Sequence, residues 1–541
     1  MFKKIIVVFI IINTFVTGCR NQTKRPATKE TAKSIEKTIA RDFSINKNNS
    51  YNDIFLDSAD VEKFIAEEKL DDTLSTAIRG FYNTRNFEYA WFASTGLIEQ
   101  AFSFHSLYST ENNTDLFNKS LENHLDRLRI EEDSTIDAKD PSTIKTELQI
   151  TRRFIQYALA NYRNTDISPA DLGTFIPAKR KTISDLADSV LANNRYKNYA
   201  ATNESYRLLR ETLQKYRSIE KSGGWPGTVT DPKNYDSSAR GPSIKTFKKR
   251  LQITGELTSN DTSELFGPEL EIAVKTYQFS HGYKPTGEVT TSLIKDMNIP
   301  VLARMQQLLI NMQRMRWMPI RPEGKLIIVN IPEFELYVDS GKTILFQMDV
   351  VVGAEGHNTT MFSGNVSQVV FSPYWNIPPS IVKKEVVPGL RRDKNYLKKR
   401  DMEITGREGG LPAVRQRPGA KNALGKVKFL FPNSFNIYMH DTPQKEFFNR
   451  STRGLSHGCI RLSDPVKMAD YLLQNSKIWT PENIVSAMNS GKEQFVELKP
   501  TVPVIITYYT SWVDNKGVLH FTDDMYGHDK QMSLKMFTNP Q

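Results

Sequence analysis

The chain has 541 residues, with 72 Lys and Arg against 61 Asp and Glu for a formal charge of +11, and a composition 39% hydrophobic and 10% aromatic. That length exceeds what one core can hold and implies roughly two to four domains, while the composition excludes a multi-span membrane protein. The charge is moderate and no run of Lys and Arg interleaved with aromatics stands out, which argues against nucleic acid as a partner.

Lys3 and Lys4 precede an uninterrupted apolar run from Ile5 to Ile12, too short to span a bilayer but suited to an export signal. The run closes on Val16-Thr17-Gly18-Cys19, which resembles the lipobox of bacterial lipoproteins. The resemblance implies cleavage before Cys19, acylation of its thiol, and a mature chain held on a membrane facing the periplasm. A plain secretory signal with a chance cysteine is the alternative. Residues 20–53, rich in Lys, Thr, Ser and Asn, read as a flexible tether.

Residues 54–224 carry a helical period. Between Ser142 and Arg163, Ile144, Leu148, Phe154, Ile155, Ala158, Leu159 and Tyr162 recur at three-and-four spacing. Further helices are predicted from Asp60, over Thr73 to Phe81, Leu97 to Tyr108, Asp115 to Leu128, Ile183 to Leu191 and Tyr206 to Ile219. Phe81, Tyr82, Phe87, Tyr89, Trp91 and Phe92 read as a packed core, with a sugar-lined groove as the rival reading.

The Ser222-Gly223-Gly224-Trp225-Pro226-Gly227 stretch breaks the pattern. After it, Ser243 to Leu251, the run after Phe266-Gly267-Pro268, and the segment around Ser292-Leu293-Ile294 predict a small helical module over 240–298. His281 reads as a cap or core residue in preference to a metal ligand. Residues 299–319 predict a connecting helix, with Met305, Leu308, Leu309, Met312 and Met315 on its packing face.

From Lys325 the period changes to two. Leu326 to Asn330, Phe334 to Val338, Thr343 to Val352, Gln368 to Phe371, Lys426 to Phe431 and Asn436 to Met439 predict strands, with His440 at the end of the last. Between Pro379 and Ala423 the strands are expected to stop. Residues 380–424 hold twelve Lys and Arg against five Asp and Glu, a basic stretch long enough to be a lid. Tyr374 and Trp375 lead into it and are candidates for lining a substrate groove. Ser463-Asp464-Pro465 and Thr480-Pro481-Glu482 start helices, and Val504 to Tyr509 and Gly517 to Phe521 are expected to complete the same sheet.

Beyond the signal, Cys459 is the only cysteine, so it has no internal disulfide partner. A thiol with His457 and His440 within reach has the parts of a nucleophile and a general base. An imidazole beside the sulfur is expected to lower its pKa by forming an ion pair. Gly458 permits a sharp bend, and the amides around Gly458 and Cys459 are candidates for an oxyanion hole. A buried core cysteine is the bland alternative. Zinc is disfavoured because His440, His457 and Cys459 lack closely spaced ligand pairs.

His440, then residues 441–455, then Ser456-His457-Gly458-Cys459-Ile460-Arg461 resembles the signature of the L,D-transpeptidase catalytic domain, the YkuD domain. Tyr82-Asn83-Thr84-Arg85 with Tyr89-Ala90-Trp91 resembles the scaffold domain of the larger members. Phe279-Ser280-His281-Gly282-Tyr283 with Gly287-Glu288-Val289 is similar to the peptidoglycan-binding-like domain, for which glycan or stem-peptide binding and a propping role both stand open. The resemblance implies a multidomain α+β chain: helical scaffold domain, three-helix peptidoglycan-binding-like domain, and a β-rich catalytic domain over 320–541 with a capping insertion at 379–424.

What the resemblance implies chemically is a Cys459 thioester formed on the donor tetrapeptide stem of peptidoglycan and resolved by the amine of an acceptor stem. His440 serves as base and acid, oriented by a nearby backbone carbonyl or, less favoured, the Asp441 side chain. His457 and Ser456 shape the loop, and Arg461 binds a substrate carboxylate or braces that loop. The scheme calls for no metal or organic cofactor, and it implies covalent trapping by carbapenem-type β-lactams. An L,D-carboxypeptidase on the same scaffold and a non-catalytic wall-binding lipoprotein are the rivals.

Overall fold

In the first half of the chain the helical period becomes a bundle whose starts are set by capping side chains. Asp57 accepts from Ala59 N–H to open α1 (Ser58–Glu67), and Asp71 from Leu74 N–H to open α2 (Asp72–Asn83). Helices α3 (Glu99–Thr110), α4 (Pro141–Asn161), α5 (Ile183–Ala192) and α6 (Glu204–Lys221) are the further scaffold helices among the described residues. The computed structural model describes residues 39–541 outside 111–134, 162–174, 193–203, 229–230, 237–238, 318–323 and 342, within which only Leu121, His124, Leu125, Leu128 and Leu172 are described. The expected signal, with Cys19, and most of the expected Asp115–Leu128 helix lie outside the described residues.

All six aromatics from Phe81 to Phe92 are buried in the scaffold core, which leaves no sugar groove there. Trp91, Phe104, Phe154 and Trp317 pack mainly edge to face at its centre.

Helices α7 (Pro242–Thr254), α8 (Pro268–Ser280) and α9 (Thr291–Met297) form the second module around Phe247, Leu251, Tyr277 and Leu293. His281 is buried against Tyr277, with ring centroids 3.7 Å apart, and burial pushes its pKa down to about 3. The connecting helix α10 (Val301–Met315) is buried on nearly every side and joins the scaffold core. Its Arg314 is satisfied by Glu99, at 2.7 Å, and by Asp529, as a buried guanidinium must be.

The alternating second half builds β1 (Leu326–Asn330), β2 (Glu335–Asp339), β3 (Ile344–Gly353) and β4 (Phe362–Phe371). Next come β5 (Trp375–Asn376), β6 (Met402–Glu408) and β7 (Leu411–Gln416), then β8 (Val427–Leu430), β9 (Met439–His440), β10 (Gly454–Ser456) and β11 (Ile460–Leu462). Helices α11 (Pro465–Leu473) and α12 (Pro481–Met488) precede β12 (Gln494–Thr507). Nine strands form one mixed sheet in the order β10-β3-β11-β9-β8-β4-β12-β1-β2, and β2 also pairs with β3, so the sheet curls on itself.

One face of this sheet carries the core, in which Val350, Leu462, Met439, Val427 and Phe371 meet Met468 and Ile484 from α11 and α12. Because successive side chains alternate between faces, their neighbours make a row on the other face. Val351, Arg461, His440, Lys428, Val370 and Phe495 are partners in turn across β3, β11, β9, β8, β4 and β12.

Two expectations are corrected. Strands do not stop after Pro379: β5, β7 and β6 form a separate three-stranded sheet, packed with the helical run beginning at Pro379 around Ile377, Val382, Val386 and Val414. Gly409 and Gly410, both at positive φ, make the tight turn between β6 and β7. The tail is also divided. β12 enters the catalytic sheet, but β13 (Ser511–Val513) and β14 (Leu519–Phe521) pair only with each other. With α13 (His528–Met536) they bury Val513, Phe521, Met532 and Met536 in the scaffold core.

Candidate active site

Strands β9 and β11 run parallel, with Met439 opposite Ile460 and His440 opposite Arg461. Ile460 N–H donates to Tyr438 O at 3.1 Å, which carries the register back one residue and sets Cys459 beside Tyr438. Tyr438, His440, Cys459 and Arg461 therefore stand on one face. His440 and Cys459 are diagonal neighbours, about 8 Å apart between Cα atoms from strand spacing and rise. Among the described residues the sulfur's hydrogen-bond partners are the Asn436 carbonyl, at 3.7 Å, and Tyr438, and the imidazole is not one of them. Ring and thiol share a face on adjoining strands, the arrangement that proton transfer between them requires.

His440 is buried, and its Nδ1 lies 2.5 Å from the Asp441 carbonyl. A carbonyl can only accept, so the ring proton sits on Nδ1 and Nε2 keeps its lone pair. Of the two orienting partners considered, the carbonyl is the one the ring meets. The Asp441 carboxylate is occupied elsewhere, accepting from Thr442 N–H at 2.7 Å, Lys426 N–H at 2.9 Å and Lys445 Nζ at 2.9 Å. Gly425, at φ +62°, leaves room for it: a Cβ there would stand 2.4 Å from the Asp441 carboxylate.

Burial, reinforced by the Arg461 guanidinium, pushes the His440 pKa down to about 4 against the pull of the Asp441 and Leu424 carbonyls. Burial pushes the Cys459 thiol up, while Tyr438 and Arg461 draw it down. Both shifts run against the expected thiolate–imidazolium pair. Burial penalises both charged forms, and the cation beside the ring adds to the penalty on the imidazolium, so the surroundings favour the neutral pair.

The Ser456 hydroxyl donates to Cys459 O at 2.6 Å and accepts from Gly458 N–H at 3.1 Å. Thr359 Oγ1 donates to Gly458 O at 2.8 Å. Gly458 adopts φ +107°, a conformation that glycine alone takes readily. Its amide is therefore spent on Ser456. Among the described residues the amides of His457 and Cys459 have no acceptor, and these are the donors available to an oxyanion. His457 is exposed, with its ring 4.8 Å from that of His357.

Arg461 donates to Gln444 Oε1 at 3.0 Å and leaves its buried Nε unpaired, so it both braces the turn after His440 and retains a free donor. The Tyr374 ring lies under the Arg415 guanidinium at 4.1 Å. The Tyr438 hydroxyl is pushed up chiefly by burial and by the Cys459 sulfur beside it, while the nearby Trp375 side chain draws it down. Behind Asp441 opens a cavity of about 420 Å³, bounded by Gly419, Ala420, Lys445 and the start of α11, which Cys459 does not line. No group of three or more His, Cys, Asp and Glu among the described residues is arranged to hold a metal.

Tyr438, Thr359 and Lys428 were not singled out from sequence. For Tyr438 the signal existed, since Tyr438-Met439-His440 on a strand puts the first and third side chains on one face.

The profile of the L,D-transpeptidase catalytic domain family matches residues 324–487. The Scaffold domain profile matches 76–213, and the profile described as "Putative peptidoglycan binding domain" matches 240–297. The transpeptidase domain's profile stops short of β12, which nonetheless lies within its sheet. A Haemophilus influenzae protein named "Putative L,D-transpeptidase" is 32% identical over 245 residues, 42% of this chain and 49% of its own. The chain thus spans about half the length of that relative.

Solved structures overlap only slightly. An L,D-transpeptidase from Stackebrandtia nassauensis gives a TM-score of 0.19 at 15% identity over 46% of this chain and 91% of its own. L,D-transpeptidase 1 of Mycobacterium tuberculosis gives 0.16 at 12% over 34% and 61%. Neither superposition bears on the fold.

Proposed function

We propose that the chain is an L,D-transpeptidase that crosslinks bacterial peptidoglycan stem peptides. The observation that carries this reading is the shared face of His440 and Cys459, with the ring proton fixed on Nδ1 by the Asp441 carbonyl and Nε2 left as a base. His440 Nε2 takes the thiol proton as Sγ attacks the carbonyl of the L,D bond before the terminal D-Ala of the donor. The carbonyl oxygen becomes an oxyanion facing the His457 and Cys459 amides. His440 then returns the proton to the leaving D-Ala amine, and a thioester remains on Cys459. An acceptor amine, deprotonated by His440, attacks the thioester and restores the thiol. Starting from neutral partners, the scheme needs a base rather than a preformed thiolate, consistent with the directions of both pKa shifts.

The same acylation half-reaction extends to carbapenem-type β-lactams, for which an adduct on Cys459 is the expected product. The N-terminal signal and the lipobox-like Val16 to Cys19 support a periplasmic, membrane-anchored lipoprotein. Cys19→Ala is expected to release the chain from the membrane fraction.

Purified protein incubated with disaccharide-tetrapeptide, with products resolved by mass spectrometry, tests the central reading. Crosslinked dimer together with free D-Ala is expected. Tripeptide alone would make the enzyme an L,D-carboxypeptidase, and no product from folded protein would contradict thiol acyl transfer on this substrate.

A further inference from the structure

The lid joins the catalytic sheet through a narrow neck, its outgoing strand at Pro373 to Asn376 and its returning strand at Arg415 to Ala423. The two are tied together by hydrogen bonds, by strand pairing and by the Arg415 guanidinium over the Tyr374 ring. Asn422 Nδ2 donates to Pro373 O and Arg417 O, each at 2.9 Å, and Trp375 is opposite Gln416 across β5 and β7. What fastens the neck to the sheet at Tyr374 is ionic. Tyr374 N–H donates to Glu493 Oε1 at 2.9 Å, and Lys428 Nζ donates to Tyr374 O at 3.4 Å. Lys428 and Glu493 stand 3.7 Å apart, their side chains 13% and 21% exposed, so water screens the pair little.

The position of Lys428 gives this attachment a functional consequence. It is the direct partner of His440 across β8 and β9, so the neck is fastened one strand from the base. The residue after Tyr374 is Trp375, whose side chain reaches Tyr438, and Tyr438 meets Cys459. A chain of contacts runs from the Lys428–Glu493 pair through Tyr374, Trp375 and Tyr438 to the nucleophile.

We propose that Lys428 and Glu493 are positioning residues of the transpeptidase: they clamp both backbone polar groups of Tyr374 and so hold the lid, through Trp375, in the place that forms the peptide-binding wall beside Cys459. Neither touches the reacting atoms. Loosening the clamp leaves thiol and base intact but gives the peptide an ill-defined wall, so substrate binding suffers more than the chemical steps. The inference rests on the reading of the chain as an L,D-transpeptidase.

The test uses Lys428→Met, Glu493→Gln and the charge-retaining Lys428→Arg. Each is assayed on disaccharide-tetrapeptide, by iodoacetamide alkylation of Cys459 as a function of pH, and by hydrogen exchange. Glu493→Gln keeps an acceptor for Tyr374 N–H and covers the case in which Lys428→Met fails to fold. The expected result is a KM raised about tenfold in Lys428→Met and Glu493→Gln with kcat within about threefold of wild type. Exchange should quicken over residues 374–417 and not in β8 and β9, the shape of the alkylation pH profile should persist, and Lys428→Arg should restore much of the KM. Wild-type KM in both charge-removing variants would overturn the proposal, as would a fall in kcat and alkylation rate of about tenfold or more alongside the rise in KM. Wild-type protein that is alkylated normally but does not process the peptide would instead sink the transpeptidase reading itself.

Discussion

His440 and Arg461 face each other directly across the parallel pairing of β9 and β11, a permanent cation beside a buried imidazole. Their proximity helps keep the ring neutral, the form that can accept a proton. The acid limb of the wild-type kcat/KM profile on disaccharide-tetrapeptide should therefore lie near pH 4, where His440 protonates. In Arg461→Met, with the cation gone, the acid limb should move upward toward the ordinary histidine value of 6.5. Burial alone still depresses the ring, so the shift stays incomplete. An unmoved limb would show that the guanidinium does not act on the base.

Ser456 makes two hydrogen bonds that close the turn carrying the nucleophile. Ser456→Ala leaves the Gly458 amide and the Cys459 carbonyl without their partner, at about 1–3 kcal/mol for a buried group left unmade. Because the loss falls within the turn, turnover on disaccharide-tetrapeptide should drop about tenfold or more while the far-ultraviolet dichroism stays that of wild type. Full activity in this variant would mean that the turn is held by other contacts.

Gly425 touches no substrate, yet its position governs Asp441, whose carbonyl fixes the His440 proton. Alanine at φ +62° costs about 1–2 kcal/mol in backbone strain, and its Cβ would drive the Asp441 carboxylate aside. Gly425→Ala should lower both the melting temperature and kcat. A lowered melting temperature with wild-type kcat would separate the placement of Asp441 from catalysis.

Much of this arrangement was legible in the residues because their periods are unmistakable. Leu326 to Val329 is a short, β-branched apolar run that forms the strand it predicts, and the three-and-four spacing after Ser142 gives a helix from Pro141 to Asn161. Cys459 and His440 could be named because their residue types carry the chemistry. Lys428 could not: a lone lysine in a strand gains meaning only from the partner across the ladder, and Glu493 lies some sixty positions away. The lid hairpin was obscured because β6 is mostly exposed, with Glu403, Arg407 and Glu408 among its seven residues and too little apolar alternation to mark it as a strand. The tail misled for a tertiary reason. Its strands look like those of the catalytic sheet, but Val513 and Phe521 find their apolar partners in the scaffold core.

The most direct measurement is intact-protein mass spectrometry on acid-quenched samples taken during turnover of disaccharide-tetrapeptide, with wild type beside Cys459→Ala. The account predicts that wild-type protein gains the mass of the disaccharide-tripeptide acyl group, mapped to Cys459, while the variant gains none and releases no D-Ala. Product formed by Cys459→Ala at the wild-type rate, or an acyl group mapped to another residue, would contradict it.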